Sequence, residues 1–168
     1  LAAEGVNVVV AGRTEKKLIK TVTAIADRGG KALAVVCNVK SSTDLAHAVN
    51  ETVSHFGGLN ILVNNAQEVP NGLLNEVSDE AFTAGFESGP LATLRLMKLA
   101  YPHLKGDGCI VNLASTVAKR WDMSGYGAYA AVKEAIRSLT RAAACEWGAD
   151  GIRTNVILPH AKSPGLVW

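Results

Sequence analysis

No apolar run in this chain approaches the roughly 20 residues that a membrane-spanning helix needs, and its opening residues lack the basic-then-apolar order of a secretory leader. The expectation is a cytoplasmic protein with no membrane partner. Charge of one sign is lacking too: 17 Lys and Arg against 15 Asp and Glu leave a formal net charge of +2, and the basic residues are dispersed. That balance gives no long-range field for polyanions, so no nucleic-acid partner is expected. Cysteine is scarce. Cys37, Cys109 and Cys145 are odd in number, far apart and set in apolar segments, which predicts buried free thiols rather than a bridge or a metal cage. His47, His55, His103 and His160 show no ligand spacing, so no metal is expected. The triplet Asn50-Glu51-Thr52 fits the glycosylation pattern, but without a secretion signal it is read as chance.

What the sequence does have is apolar mass. Hydrophobic residues make up 48% of it and the mean hydropathy is +0.16, which describes one ordinary domain over residues 1–168 with a large core. Five apolar runs of strand length stand out: "VNVVVAG" (Val6 to Gly12), "ALAVVCNV" (Ala32 to Val39), "LNILVNNA" (Leu59 to Ala66), "GCIVNLAS" (Gly108 to Ser115) and "IRTNVILP" (Ile152 to Pro159). All are apolar on both faces, as in a parallel sheet covered by helices on both sides. Between them Thr14 to Arg28, Ser42 to Phe56, Asp79 to Leu104 and Gly127 to Ala149 have helical periodicity. Thr14, Ser42 and Ser78 are the expected N-caps, and Gly29-Gly30, Gly57-Gly58 and Gly148 the expected stops. Strands alternating with helices over short connections give an α/β, doubly wound parallel sheet.

The opening "LAAEG" reads as the last turn of a helix. A doubly wound sheet of this kind starts with a strand and a glycine-rich turn that cradles phosphate, yet no G-x-G-x-x-G occurs anywhere. The expectation is therefore of a natural chain that extends upstream with that strand and turn, and of a sheet that is incomplete here.

In "SGYGAYAAVKEAIRSLTRAAACEW" Tyr129 and Lys133 stand at i and i+4, on one face of a helix. An ammonium beside a phenol favours phenolate and draws the tyrosine pKa down toward working pH, making an acid-base device. The same spacing also arises where a tyrosine packs and a lysine snorkels. Fourteen residues before Tyr129, "IVNLAS" ends a strand candidate with Ser115, at the sheet edge where α/β proteins bind ligands. A hydroxyl there can donate to a substrate carbonyl. "LVNNAQ" places Asn64 and Asn65 at the same edge, where a buried amide must bond a neighbouring strand or a ligand.

In their order along the whole chain, "LAAEGVNVVVAGR", "CNV", "ILVNNA", "IVNLAS", "YAAVK" and "GIRTNVILP" resemble the short-chain dehydrogenase/reductase family, with its Rossmann-type fold. The resemblance implies an oxidoreductase that moves a hydride between a nicotinamide cofactor and a carbonyl or secondary alcohol. Tyr129 would be the acid/base, Lys133 would hold the nicotinamide ribose and depress the tyrosine pKa, and Ser115 would polarise the carbonyl. Tyr126 has Ala130, not lysine, four residues on. On the cofactor side Asn38 and Val39 would flank the adenine, Asn65, Ala66 and Gln67 would run beneath the ribose, and Pro159 would line the same site. Arg13 follows the family's second strand, where a basic residue meets the 2'-phosphate of NADP. Gly12 stands where an acidic residue would serve NAD, so NADP is expected over NAD. The other reading of Arg13 is a surface loop charge.

Four departures accompany the resemblance. The glycine-rich loop is absent, Gly89 stands where an asparagine usually holds a proton-relay water, Gln67 replaces a glycine after "NNA", and His160 replaces one after Pro159. They leave a rival expectation open, a catalytically silent scaffold or nucleotide-binding subunit. The long helices Asp79 to Leu104 and Gly127 to Ala149, the second dense in small residues, imply by resemblance a homodimer or homotetramer. The family reads substrate with a loop after the last strand seen here, so substrate identity beyond a small carbonyl or alcohol is not legible.

Overall fold

The computed structural model of the protein describes residues 1–120 and 124–159. The elements follow the predicted alternation: β1 (Val8–Gly12), α1 (Glu15–Ala26), β2 (Ala32–Val36), α2 (Ser42–Phe56), β3 (Ile61–Asn64), α3 (Asp79–Phe86), α4 (Ala92–Leu104), β4 (Cys109–Leu113), α5 (Gly127–Trp147) and β5 (Arg153–Ile157). The opening residues form a 3-10 turn, Ala2–Glu4, closed by Gly5 at φ 82°. Between α3 and α4 the segment Glu87–Leu91 is π-helical and contains Pro90. A proline has no N–H to give and clashes with the carbonyl four residues back, and a wider turn relieves both problems without ending the helix.

Two caps correct the sequence reading. Ser41, not Ser42, caps α2: its Oγ accepts from Asp44 N at 3.2 Å and donates to Asp44 Oδ1 at 2.8 Å. Thr14 stands at the N-cap of α1 without a side-chain cap bond, whereas Ser78 accepts from Ala81 N at 3.1 Å as expected. The α2 cap reaches further. Asp44 Oδ2 also accepts from Asn38 N at 2.9 Å, and that bond, ahead of Ser41, holds the carboxyl below its usual range. The backbone leaving β2 is thereby fixed.

All strand pairs are parallel, but they form two ladders, β1-β2 and β3-β4-β5. Among the described residues a single continuous sheet is not formed: β1 and β3 are not paired, and between them lies a slot of about 290 Å³ lined by Val6, Val8, Val9, Ile61, Leu62 and Val63, among others. Val63 is 44% exposed in consequence, though its strand reads as fully buried in sequence.

Helices α2 and α4 close one core cluster around Val35, Cys37, Leu45 and Ala48, and α4 and α5 close another around Met97, Ala100, Leu104, Ile110, Ala143 and Ile152. Helix α1 packs on β1 and β2, and right-handed crossovers running in opposite directions put it on the other face. Cys37 is buried and Cys109 half-buried, but Cys145 is exposed, against expectation. It lies two residues after buried Ala143, about 200° around the helix and therefore on its outer side. No helix among the described residues is long and apolar enough to cross a membrane.

Candidate active site

Parallel strands bring their carboxyl ends to one edge, and every site residue expected from sequence leaves the sheet there or faces that edge from α5. Ser115 follows β4 in extended conformation and caps the 3-10 turn Thr116–Lys119, its Oγ accepting from Val117 N at 3.4 Å. Tyr129 and Lys133 lie on the first turns of α5. The turn before that helix is held from outside: Gly72 N donates to Gly125 O at 2.9 Å, and Gly125 takes φ 78°, which a side chain would resist. The segment after β3 is thus tied to the start of α5.

The three catalytic candidates come together. Ser115 stands beside Tyr129, near enough to hold the phenol's pKa down. Lys133 Nζ donates to Leu113 O, the last carbonyl of β4, at 2.7 Å and sits 5.6 Å from the centre of the Tyr129 ring. Lys133 is only 3% exposed, and burial brings its pKa from 10.5 to about 8. The phenol shifts in the direction opposite to that expected from the i, i+4 pair. Burial raises its pKa; the Ser115 hydrogen bond opposes that rise, and the nearby Tyr126 adds to it. The reason is geometric: the lysine donates a hydrogen bond to a strand carbonyl and stands over the ring, and desolvation is the largest influence on the phenol. Tyr126, the rival tyrosine, lies 6.4 Å from Tyr129 between ring centres.

On the other side Arg13, Asn38, Val39, Ala66 and Gln67 line one pocket of about 210 Å³, together with Gly12, Cys37, Glu68 and Ser88. Asn65 and Pro159 are exposed at the ends of their strands and are not among the residues lining it. His160 lies outside the described residues. At the pocket Arg13 NH1 and Lys40 Nζ both meet Glu68 Oε1 at 3.3 Å. Glu68 and Lys40 were missed in sequence. Each is an ordinary surface charge there, and only the fold brings residues 13, 40 and 68 to one place.

Asn64 answers the question its position raised. Its Nδ2 donates to Asn112 Oδ1 at 2.8 Å across the β3-β4 pair, and Asn112 Nδ2 donates to Thr140 Oγ1 of α5 at 2.9 Å. This buried chain locks α5 to the strand that ends at Ser115. Gln67 and Gly89 also meet. The Gln67 amide lies where a side chain on Gly89 would have to go, its Nε2 donating to Glu68 O and Gly85 O, each at 3.0 Å.

A pocket with two cations sharing one carboxylate has charge to spare for an anion, and a half-buried phenol and hydroxyl and a buried lysine lie at the same edge. These residues fit a nicotinamide dinucleotide. A family model described as Enoyl-(Acyl carrier protein) reductase matches residues 1–163. The 12alpha-hydroxysteroid dehydrogenase of Clostridium sp. is 37% identical over 172 residues, which cover 98% of this chain and 66% of that protein. A short-chain dehydrogenase of Burkholderia cenocepacia, solved in complex with NADP, superposes with a TM-score of 0.90 at 30% identity, over 95% of this chain and 65% of that one. A 7 alpha-hydroxysteroid dehydrogenase complexed with NADH and 7-oxo glycochenodeoxycholic acid gives 0.90 at 28% identity, over 95% and 62%. This chain spans about two thirds of the length of the relatives it matches. Similar along nearly its whole length in both sequence and fold, it belongs to the short-chain dehydrogenase/reductase family.

Proposed function

We propose that the protein is an NADP-preferring oxidoreductase that interconverts a carbonyl and a secondary alcohol, with Ser115, Tyr129 and Lys133 as its catalytic residues. The observation that carries this reading is the placement of Ser115 beside Tyr129, with the buried Lys133 over the ring and donating to Leu113 O, at the strand ends. When bound, the nicotinamide would supply or accept the hydride. Ser115 Oγ–H would donate to the substrate oxygen and orient it. Tyr129 Oη would give that oxygen a proton, and its raised pKa keeps it protonated at neutral pH, the form that a carbonyl reduction uses. An ammonium has three donors; Lys133 gives one to Leu113 O and would turn the others to the ribose hydroxyls.

Arg13 would pair with the 2'-phosphate while Asn38, Val39, Asn65, Ala66, Gln67 and Pro159 bound the rest of the dinucleotide. NADP is favoured because Arg13 stands at the pocket and Gly12 offers no carboxylate to repel a phosphate. An apolar strand filling the slot between β1 and β3, a homodimer or homotetramer and a cytoplasmic location belong to the same proposal. The oligomer is supported by the exposed groove where Phe82, Phe86, Leu91 and Leu94 meet Leu139 of α5.

The test uses the protein at its natural length. NADPH fluorescence should change on binding, and a panel of ketones, quinones, steroids and acyl thioesters should yield at least one substrate that drives NADPH oxidation. Binding without turnover across the panel would favour the silent reading instead. Arg13→Ala should weaken NADPH and leave NADH nearly unchanged; an equal loss for both removes the phosphate assignment.

A further inference from the structure

The charges around the 210 Å³ pocket are arranged as a competition. Glu68 Oε1 meets Arg13 NH1 at 3.3 Å and Lys40 Nζ at 3.3 Å, and Glu68 Oε2 lies 3.4 Å from the same lysine nitrogen. The backbones of Lys40 and Glu68 are held, while the side chains of all three stay partly exposed, 67% for Arg13, 29% for Lys40 and 34% for Glu68. Glu68 N donates to Ser88 Oγ at 2.9 Å and Glu68 O accepts from Gln67 Nε2 at 3.0 Å. Lys40 N donates to Asn38 Oδ1 at 3.2 Å and Lys40 O accepts from Arg95 NH1 at 3.2 Å. The three charges can therefore exchange partners by rotation of their partly exposed side chains.

From this arrangement we propose that Glu68 and Lys40 set the cofactor discrimination of the site: Lys40 is a second cation for the 2'-phosphate, and Glu68 is a built-in carboxylate that the phosphate must displace. The proposal rests on the NADP reading above and deepens it. A phosphate monoester carries nearly two negative charges at neutral pH against one on a carboxylate, and has three acceptor oxygens. It can hold Arg13 and Lys40 together, a task Glu68 performs alone in this structure. A ribose hydroxyl carries no charge and leaves the three side chains as they are. Glu68 thus weakens binding of a 2'-phosphorylated nucleotide and is silent toward its unphosphorylated counterpart.

The experiment titrates the protein at its natural length with 2',5'-ADP and with 5'-AMP by calorimetry, at low and at physiological salt. The readout is the ratio of the two affinities, which general damage to the fold does not move. Because exposed ion pairs are weak and screened, Glu68→Gln should tighten 2',5'-ADP by about fivefold at low salt and leave 5'-AMP unchanged. Lys40→Met should weaken 2',5'-ADP by a similar factor and shrink the effect of Glu68→Gln when the two are combined. A ratio unmoved or lowered by Glu68→Gln, with Arg13→Ala still selective for 2',5'-ADP, overturns the role of Glu68 alone. An Arg13→Ala loss equal for both nucleotides overturns the NADP reading and this proposal with it.

Discussion

A Cβ added to Gly89 would lie 2.7 Å from both Nε2 and Oε1 of Gln67 and 2.9 Å from Val132 Cγ1. Two positions that read in sequence as separate departures from the family pattern are therefore one exchange: the amide absent at residue 89 is matched by one arriving from residue 67. The π-helical turn holds Gly89 and Ser88 beside it, and Ser88 Oγ donates to Ala84 O at 2.7 Å while accepting from Glu68 N. Gln67 Oε1 is buried and has no partner among the described residues, which marks it as an acceptor for a bound water or ligand.

The exchange predicts coupling. Gly89→Asn alone overpacks the site and should lower stability by about 1–3 kcal/mol. Adding Gln67→Gly clears the space and should recover most of that loss, so the double-mutant cycle is strongly non-additive. Denaturant midpoints of the four proteins give the coupling directly; simple additivity would show that the two residues do not share the space.

Tyr129→Phe deletes one hydroxyl at almost constant volume and should abolish turnover while NADPH binding survives. Ser115→Ala should slow turnover on the order of a hundredfold, as loss of one preorganised donor does. The same change removes the contact that holds the phenol pKa down, so the phenolate absorbance should titrate at higher pH than in the parent. A tyrosine variant that still turns over, or a phenol that titrates lower without Ser115, contradicts the assigned roles.

Lys133 makes stability depend on pH in a defined window. Its pKa is about 8 in the folded chain, from an ordinary 10.5, so the unfolded state binds the proton more tightly between those values. The penalty for burying the charge, about 3 kcal/mol from the shift, is fully present below pH 8 and is relieved as the pH rises toward 10.5. Lys133→Met lacks the titrating group and leaves Leu113 O unpaired at every pH. The stability of the parent relative to Lys133→Met should therefore rise by about that amount from pH 7 to pH 10.5. A difference that is flat with pH would mean that the lysine is not held in the buried position.

The strand-helix alternation was legible because apolar runs separated by capped, helically periodic segments leave few other solutions, and β1 to β5 each fall within the run that predicted them. Tyr129 and Lys133 could be found because one helix turn fixes their relation. The Glu68, Lys40 and Arg13 cluster could not, since its members sit on three different connections and carry no local pattern. Nor could the direction of the Tyr129 shift, which follows first from burial of the phenol in the fold rather than from spacing. Ser41 was passed over for Ser42 because adjacent serines leave no choice by type. Asp44 N–H, three residues after Ser41, decides it.

The unpaired edges of β1 and β3 make the last prediction. Each strand bonds a neighbour on one side only, β2 and β4 respectively, and both turn apolar side chains toward the slot between the ladders. Peptide groups left on such an edge are paired by another strand or by water; each one buried without a partner loses about 1–3 kcal/mol. Val63, in the middle of β3 and 44% exposed, and the slot of about 290 Å³ leave room that a further apolar strand would fill. We propose that such a strand, contributed by residues preceding Leu1, pairs with β1 and β3 and joins the two ladders into one sheet. Hydrogen exchange gives the test. In a protein limited to these 168 residues, the amides of β1 and β3 that are not bonded to β2 or β4 should exchange orders of magnitude faster than the paired amides of β4. In the protein at its natural length they should be protected to the level of β4. Fast exchange at those amides in both proteins would refute the joined sheet, and strong protection in the 168-residue protein would show that the slot closes on its own.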